Sequence, residues 1–202
     1  MLIAGEKVAE NIGKSEIPVA GDLLVAKRED VPTDWKSRIP GEHNLENIAC
    51  AVAVARQLGI SDKTIKKVIA SFKGLPNRLE YLRTVKGVKI YNDNNATTPD
   101  ATIAGLRALG SSGSTSKAGL EVEPKEPNIV LIMGGTDKGL DMSKLVAEIP
   151  KHCKAVILLK ETGTERLLIT YNIKRVASER DSEKTLHATR YTLHKTPAYE
   201  ME

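Results

Sequence analysis

Four stretches of this chain put residue types that do chemistry at usable spacings. The first is Gly41-Glu42-His43-Asn44-Leu45-Glu46-Asn47. On a helix Asn44 and Asn47 share a face, and each carboxamide offers a donor and an acceptor for a nucleotide base or a phosphate oxygen. His43 stands beside them at the helix start. An Asn N-cap followed by a solvated polar residue would leave the same pattern. The second is Leu75-Pro76-Asn77-Arg78-Leu79-Glu80. An arginine just past a proline-stiffened turn can reach a phosphate or a ribose, and a surface Arg–Glu pair is its plain alternative. The third, Tyr91-Asn92-Asp93-Asn94-Asn95-Ala96-Thr97-Thr98-Pro99-Asp100, leaves a strand and enters a helix. Open α/β sheets bind ligands there, because free N–H groups and the helix dipole favour an anion; an Asn-rich turn is the alternative. The fourth is Met133-Gly134-Gly135-Thr136-Asp137-Lys138-Gly139-Leu140-Asp141. Its glycines let backbone approach a ligand, and Lys138 supplies a point charge for a carboxylate or phosphate. The GxxxxGK[ST] spacing fails and Gly139 follows Lys138, so this is not a Walker A loop. A Gly-Gly turn with a solvated lysine remains open.

No nucleophile triad stands beside these stretches. His152, His187 and His194 lack a serine or cysteine partner at a suggestive place and read as surface residues. Cys50, among alanines, reads as core.

The elements that must position these groups follow from periodicity. Residues 1–40 read as short strands and loops, with one strand in VAGDLLVAKRED. Leu45, Ile48, Ala49, Val52 and Ala55 recur at helical spacing until Gly59 stops them. Ser61 caps a second helix, with Asp62 in its first turn and Ile65, Val68, Ile69 and Phe72 on its apolar face. Lys73–Asn77 forms a hinge. Two strands, Leu79–Val85 and Val88–Tyr91, flank Lys86-Gly87, and Thr98-Pro99 opens a helix with Thr98 as N-cap. Residues 110–127 form a polar surface loop. A buried-type strand at Asn128–Met133, a helix at Asp141–Ile149, a strand at Ala155–Leu159 and a helix at Gly163–Tyr171 complete the pattern. Strand–helix alternation at this spacing implies an α/β fold with a parallel sheet and helices on both faces. The last 25 residues show weak patterning.

Composition narrows the function. Aromatics are 3% of 202 residues, so the core is aliphatic, and a net charge of +4 is dispersed among acids. Basic runs and stacking platforms that nucleic-acid binding would favour are missing. Cys50 and Cys153 form no metal-site spacing, which fits a reduced cytosolic interior. The start lacks the pattern of a signal peptide. No apolar run approaches the roughly 20 residues of a membrane span. A soluble cytoplasmic protein, without membrane or nucleic-acid partners, is expected.

In order and spacing, GEHNLENIACAVAVARQLG, FKGLPNRLE, GVKIYNDNNATTPDAT and IVLIMGGTDKGLDMSKL resemble successive motifs of the Mur ligase superfamily over about residues 36–170. Within it they look most like the ligases that join D-glutamate to UDP-N-acetylmuramoyl-L-alanine. The resemblance implies three domains. Residues 1–74 would be the closing part of the central α/β ATPase domain, and 75–202 a C-terminal Rossmann-like parallel-sheet domain lacking its last strand. A phosphate-binding loop, the Mg2+ ligands and a carbamylated lysine would lie upstream of Met1, making this chain a fragment, and a monomer is expected. The implied reaction uses ATP to make an acyl phosphate, which the D-glutamate amine attacks. Asn44 and Asn47 match asparagines that approach the nucleotide. Arg78 and Asp93 match residues that close over ATP, Asp93 at the ribose hydroxyls. Thr97 and Lys138 match the pair holding D-glutamate carboxylates; His43 and Asn95 are further candidates. Two departures stand out: Asn77 where these ligases commonly have His, and Asn95 where they usually have Lys. A sibling Mur ligase for another amino acid, or a binding domain that kept the fold without the ATPase, are the alternatives.

Overall fold

A computed structural model describes residues 1–15, 21–110 and 126–170, and the backbone of 188–191. The described chain is α/β and divides into two compact units, Met1–Asn92 and Asp93–Glu202. The hairpin after Gly74 thus falls in the first unit, whereas the expected boundary after residue 74 would put it in the second domain.

In the first unit, β1 (Leu2–Gly5) pairs in parallel with β2 (Leu23–Ala26). The helix α1 (Glu6–Lys14) joins β1 to the segment before β2. Sequence reading missed α1: Val8 and Ile12 stand one turn apart, but nine residues give only that one apolar pair, and none of the helix is buried. α2 (Glu42–Gln57) and α3 (Asp62–Ser71) follow. Ile48, Val52 and Ile65 form the core between them, with Val31, Trp35, Ile39, Ala55 and Ile69 packed around. Arg56 clasps this core from outside. It donates to both oxygens of Asp62 at 2.9 Å and to the Asp30 carbonyl at 3.0 Å, and lies 5.9 Å from the Trp35 ring centroid. Three residues expected on apolar faces are instead exposed: Leu45 at 41%, Val68 at 58% and Phe72 at 43%. Each helix buries a narrower stripe than its apolar residues would allow.

The strands β3 (Glu80–Val85) and β4 (Val88–Asn92) form the expected antiparallel hairpin. Lys86 and Gly87 both have positive φ, +48° and +81°, the two-residue turn whose twist matches that of paired strands.

In the second unit, α4 (Pro99–Leu109) begins as predicted. Thr98 Oγ1 accepts from the Ala101 N–H at 3.3 Å, and Pro99 occupies the first turn. β5 (Ile129–Met133) pairs in parallel with β6 (Cys153–Leu159), and β7 (Ala188–Tyr191) pairs antiparallel to β6. That last strand was not legible, since a four-residue segment gives too short a pattern. α5 (Ser143–His152) connects β5 to β6, and α6 (Thr162–Thr170) follows β6. Ile103, Leu106, Leu145, Ile149, Val156, Leu158 and Leu167 make the core, against Ile129, Leu131 and Met133 of β5. The expectation of a strand buried on both faces fails at β5. Val130 is 46% exposed and Ile132 62%, so the described residues cover only one of its faces. Of the expected 110–127 loop, residues 111–125 lie outside the described residues.

Candidate functional site

The second unit holds a cavity of about 270 Å³. Its walls come from three chain segments, each entering a helix: Asn94–Pro99 before α4, Met133–Met142 between β5 and α5, and Gly163–Arg166 in α6. The last two follow the carboxyl ends of parallel strands, the edge where α/β sheets bind ligands.

Thr97 and Lys138, 41 positions apart in sequence, both line this cavity. Both are exposed, and no hydrogen bond or ion pair of the Lys138 ammonium occurs among the described residues. Asp137 beside it is engaged. Its Oδ1 accepts from the Gly139 N–H at 2.9 Å and lies 2.8 Å from Arg166 Nε. That Nε is close enough for an ion pair but misaligned for a hydrogen bond. The glycines here follow from close approach. A Cβ on Gly134 would come within 2.8 Å of Leu159 Cβ, and one on Gly163 within 2.8 Å of the Gly135 carbonyl. Gly135 and Gly139 adopt φ of +126° and +67°, conformations that favour glycine.

Arg166, Gly163 and Thr164 were missed by sequence reading, which saw only a helix after β6. Thr164 Oγ1 donates toward the Leu159 and Glu161 carbonyls, at 2.6 and 2.8 Å. A strand running into Gly-Thr at a helix start was the available signal. Asp93 and Asn95 belong to the loop before α4 but do not line the cavity.

The remaining candidates lie in the first unit. Gly41, not an asparagine, is the N-cap of α2, with φ of +96°. Asn44 sits in the first turn, its Nδ2 donating to the Pro40 carbonyl at 2.6 Å. Asn47 Nδ2 donates to Asn44 Oδ1 at 3.3 Å, so the two share a face as their spacing requires. Between them Glu46, with Glu42, holds Arg28 at 2.7 and 3.3 Å. His43 is half-buried. Arg78 is exposed, and the alternative of an Arg–Glu pair is not formed among the described residues: Glu80 Oε2 accepts from the Asn77 N–H at 2.9 Å. Asn77 has φ of +63°, a conformation asparagine tolerates better than most residues. Its Oδ1 also accepts from Asn92 Nδ2 at 2.8 Å. Local backbone geometry is therefore compatible with Asn at this position.

His152 corrects the surface reading, for it is only 2% exposed. At the last turn of α5 its Nε2 lies 3.1 Å from Glu148 Oε1. Its Nδ1 has no hydrogen-bond partner among the described residues and abuts Gly110, where a Cβ would come within 2.3 Å. Arg107 and Lys151 each approach Glu148 at 2.8 Å. Hydrogen bonding from Arg107 chiefly, then from Lys151 and His152, outweighs burial and pulls the Glu148 carboxyl down to about 2. Cys50 is half-buried rather than core. Burial pushes the Cys153 thiol up to about 12, so it stays protonated and is a poor nucleophile. His187 and His194 lie outside the described residues. Among the described residues no cluster of His, Cys, Asp and Glu could hold a metal ion, and no helix is long and apolar enough to cross a membrane.

Parallel strands whose carboxyl ends run into helix-starting loops around a cavity define an α/β class, and comparison narrows it. The fold resembles that in a crystal structure of MurF from Acinetobacter baumannii, with a TM-score of 0.54 and 17% identity, over 84% of this chain and 44% of that one. No family model matches the chain. In sequence it is 34% identical over 150 residues to UDP-N-acetylmuramoylalanine–D-glutamate ligase of Acinetobacter baylyi, over 68% of this chain and 32% of that protein. It is 39% identical over 125 residues to the ligase of that name from Caldanaerobacter subterraneus, over 62% of this chain and 24% of that protein. With the Pelotomaculum thermopropionicum ligase it shares 34% over 154 residues, 74% of this chain and 30% of that protein. The chain belongs to the Mur ligase family and spans between a quarter and a third of the length of these curated relatives.

Proposed function

We propose that this chain is part of an ADP-forming ligase that joins D-glutamate to UDP-N-acetylmuramoyl-L-alanine in peptidoglycan precursor synthesis, a cytoplasmic enzyme. The observation that carries this reading is the meeting of Thr97 and Lys138 on one cavity, in a chain 34% identical to a ligase of that name. Thr97 and Lys138 hold carboxylates of the incoming amino acid: a hydroxyl donor and an ammonium suit an acidic amino acid. Asn44, Asn47, Arg78 and Asp93 serve the nucleotide, with Asp93 accepting from ribose hydroxyls; His43 and Asn95 are auxiliary. Residues 1–74 belong to the ATPase domain and 75–202 to the domain that receives the amino acid.

The chemistry is phosphorylation of the muramoyl-alanine carboxylate by ATP, then attack of the D-glutamate amine on the acyl phosphate with release of phosphate. Two anions meet, so charge neutralisation and positioning supply most of the acceleration. Mg2+ would add neutralising charge at the phosphates; the described residues supply no site for it.

A chimera tests the reading. Residues 36–170 would replace their counterpart in the Acinetobacter baylyi ligase, and phosphate release would be followed with each amino acid. Release that requires D-glutamate is the expected result. Release with another amino acid instead would favour a sibling ligase. A folded chimera that binds nucleotide and ligates nothing would overturn the enzyme reading in favour of a binding domain.

A further inference from the structure

The loop carrying Lys138 is tied to α6 at four points. The Gly163 N–H donates to the Gly135 carbonyl at 3.1 Å. The Asp137 N–H donates to Thr162 Oγ1 at 2.9 Å. Arg166 makes the other two: its Nε lies 2.8 Å from Asp137 Oδ1, and its Nη2 donates to the Leu140 carbonyl at 2.5 Å. One guanidinium thus grips the loop on either side of Lys138. Resting on the reading of Lys138 as the amino acid's cation, we infer that Arg166 is the positioning residue of this site. It fixes the backbone that aims Lys138, without itself being the cation that meets the substrate.

Three observations converge. Asp137 faces Arg166 directly and spends its charge, while Lys138 lines the same cavity with no ion pair among the described residues. Gly135 and Gly139 bracket the segment with positive φ, so the untethered loop would be unusually free. That freedom would be lost again on each binding event, at a cost in affinity. The grip also needs arginine's shape. Planar guanidinium donors can meet a carboxylate and a carbonyl together, whereas a lysine ammonium is a single point charge on a flexible stem. The contact pairs 38% and 31% exposed side chains, so its effect falls on loop order more than on global stability.

The test joins amide hydrogen exchange on the 202-residue chain with steady-state kinetics on the chimera. Arg166→Met is expected to speed exchange over residues 135–140 by about tenfold or more, leaving α5 and β6 unchanged. In the chimera it is expected to raise KM for D-glutamate by roughly tenfold with KM for ATP unaltered. Arg166→Lys, which keeps charge opposite Asp137, should recover part of both. A merely structural arginine would lower Tm and move both KM values together, without rescue by lysine. Unchanged exchange over 135–140 in both variants overturns the inference. Faster exchange with normal D-glutamate kinetics keeps the grip and strikes instead at the role of Lys138. Should Arg166→Met not fold, Arg166→Lys and Asp137→Asn give the same two readings.

Discussion

Each end of the second unit sets an arginine against a carboxylate, and the two pairs differ in kind. At the carboxyl end of α5, Glu148 is 9% exposed and three basic groups, Arg107, Lys151 and His152, converge on it. At the carboxyl ends of β5 and β6, Arg166 and Asp137 remain 38% and 31% exposed. Beside them Lys138 faces a cavity. In the first cluster the carboxylate is enclosed and takes up all three basic groups. In the second a cation is left in reserve beside open space. A cluster closed around one buried carboxylate contributes stability, whereas an open one with a spare charge can bind an anion from outside. A conspicuous arginine–carboxylate pair is therefore not by itself a site.

The contrast breaks most sharply at Glu148. Glu148→Ala leaves the buried His152 without its partner, while Arg107 and Lys151 stay solvated, and should cost about 1.5–3 kcal/mol. That lowers Tm by roughly 5–10 °C, readable by calorimetry. The D-glutamate KM of the chimera should not move; a rise of tenfold would make the two ends one functional unit. The sign of its pH dependence follows from the lowered carboxyl. Glu148 is more acidic folded than unfolded, so its contribution is complete above about pH 4.5 and is lost as pH falls through about 2. Acid titration of Tm should accordingly be flatter over that window in Glu148→Ala than in the parent.

Lys138→Ala should do the opposite. Loss of a charge-assisted contact costs about 1.5–3 kcal/mol of amino-acid binding, roughly 10- to 150-fold in KM for D-glutamate. ATP kinetics and Tm should stay close to the parent values. Equal effects on both substrates would remove Lys138 from the amino-acid pocket.

Thr98→Ala sharpens the boundary between the two kinds of site, since Thr98 both caps α4 and lines the cavity. It should cost about 1 kcal/mol in denaturant midpoint. Any D-glutamate effect should remain far below that of Lys138→Ala. The smallest stability change belongs to Arg78→Ala, within about 0.5 kcal/mol because Arg78 is exposed. If the nucleotide assignment holds, kcat falls and the KM for ATP rises. A Tm several degrees lower with normal ATP kinetics would return Arg78 to ordinary surface structure.

How legible this was depends on the range of the interactions. Thr98 as a cap, the Lys86-Gly87 turn and the pairing of Asn44 with Asn47 are settled within a few residues, and all three appear as the sequence predicts. The burial of His152 was not readable. It depends on Glu148 one turn back, but also on Gly110 from another element. Nor was the exposure of Val130 and Ile132, since an apolar run does not say which of its faces the rest of the chain covers.

By itself the sequence determined the α/β order beyond residue 40, the helix starts at Ser61 and Thr98 and which motifs could bear charge, because periodicity, caps and turns are local and each residue type carries its own backbone preference. Only the tertiary structure decided which charges are free. Arg166 and Lys138 look alike in sequence as cations near a helix start or a glycine pair. What separates them is a carboxylate and a carbonyl, Asp137 and Leu140, that folding brings to Arg166 across 29 and 26 positions of chain. Composition cannot encode that proximity, and the reserve of charge at Lys138 exists only because of it.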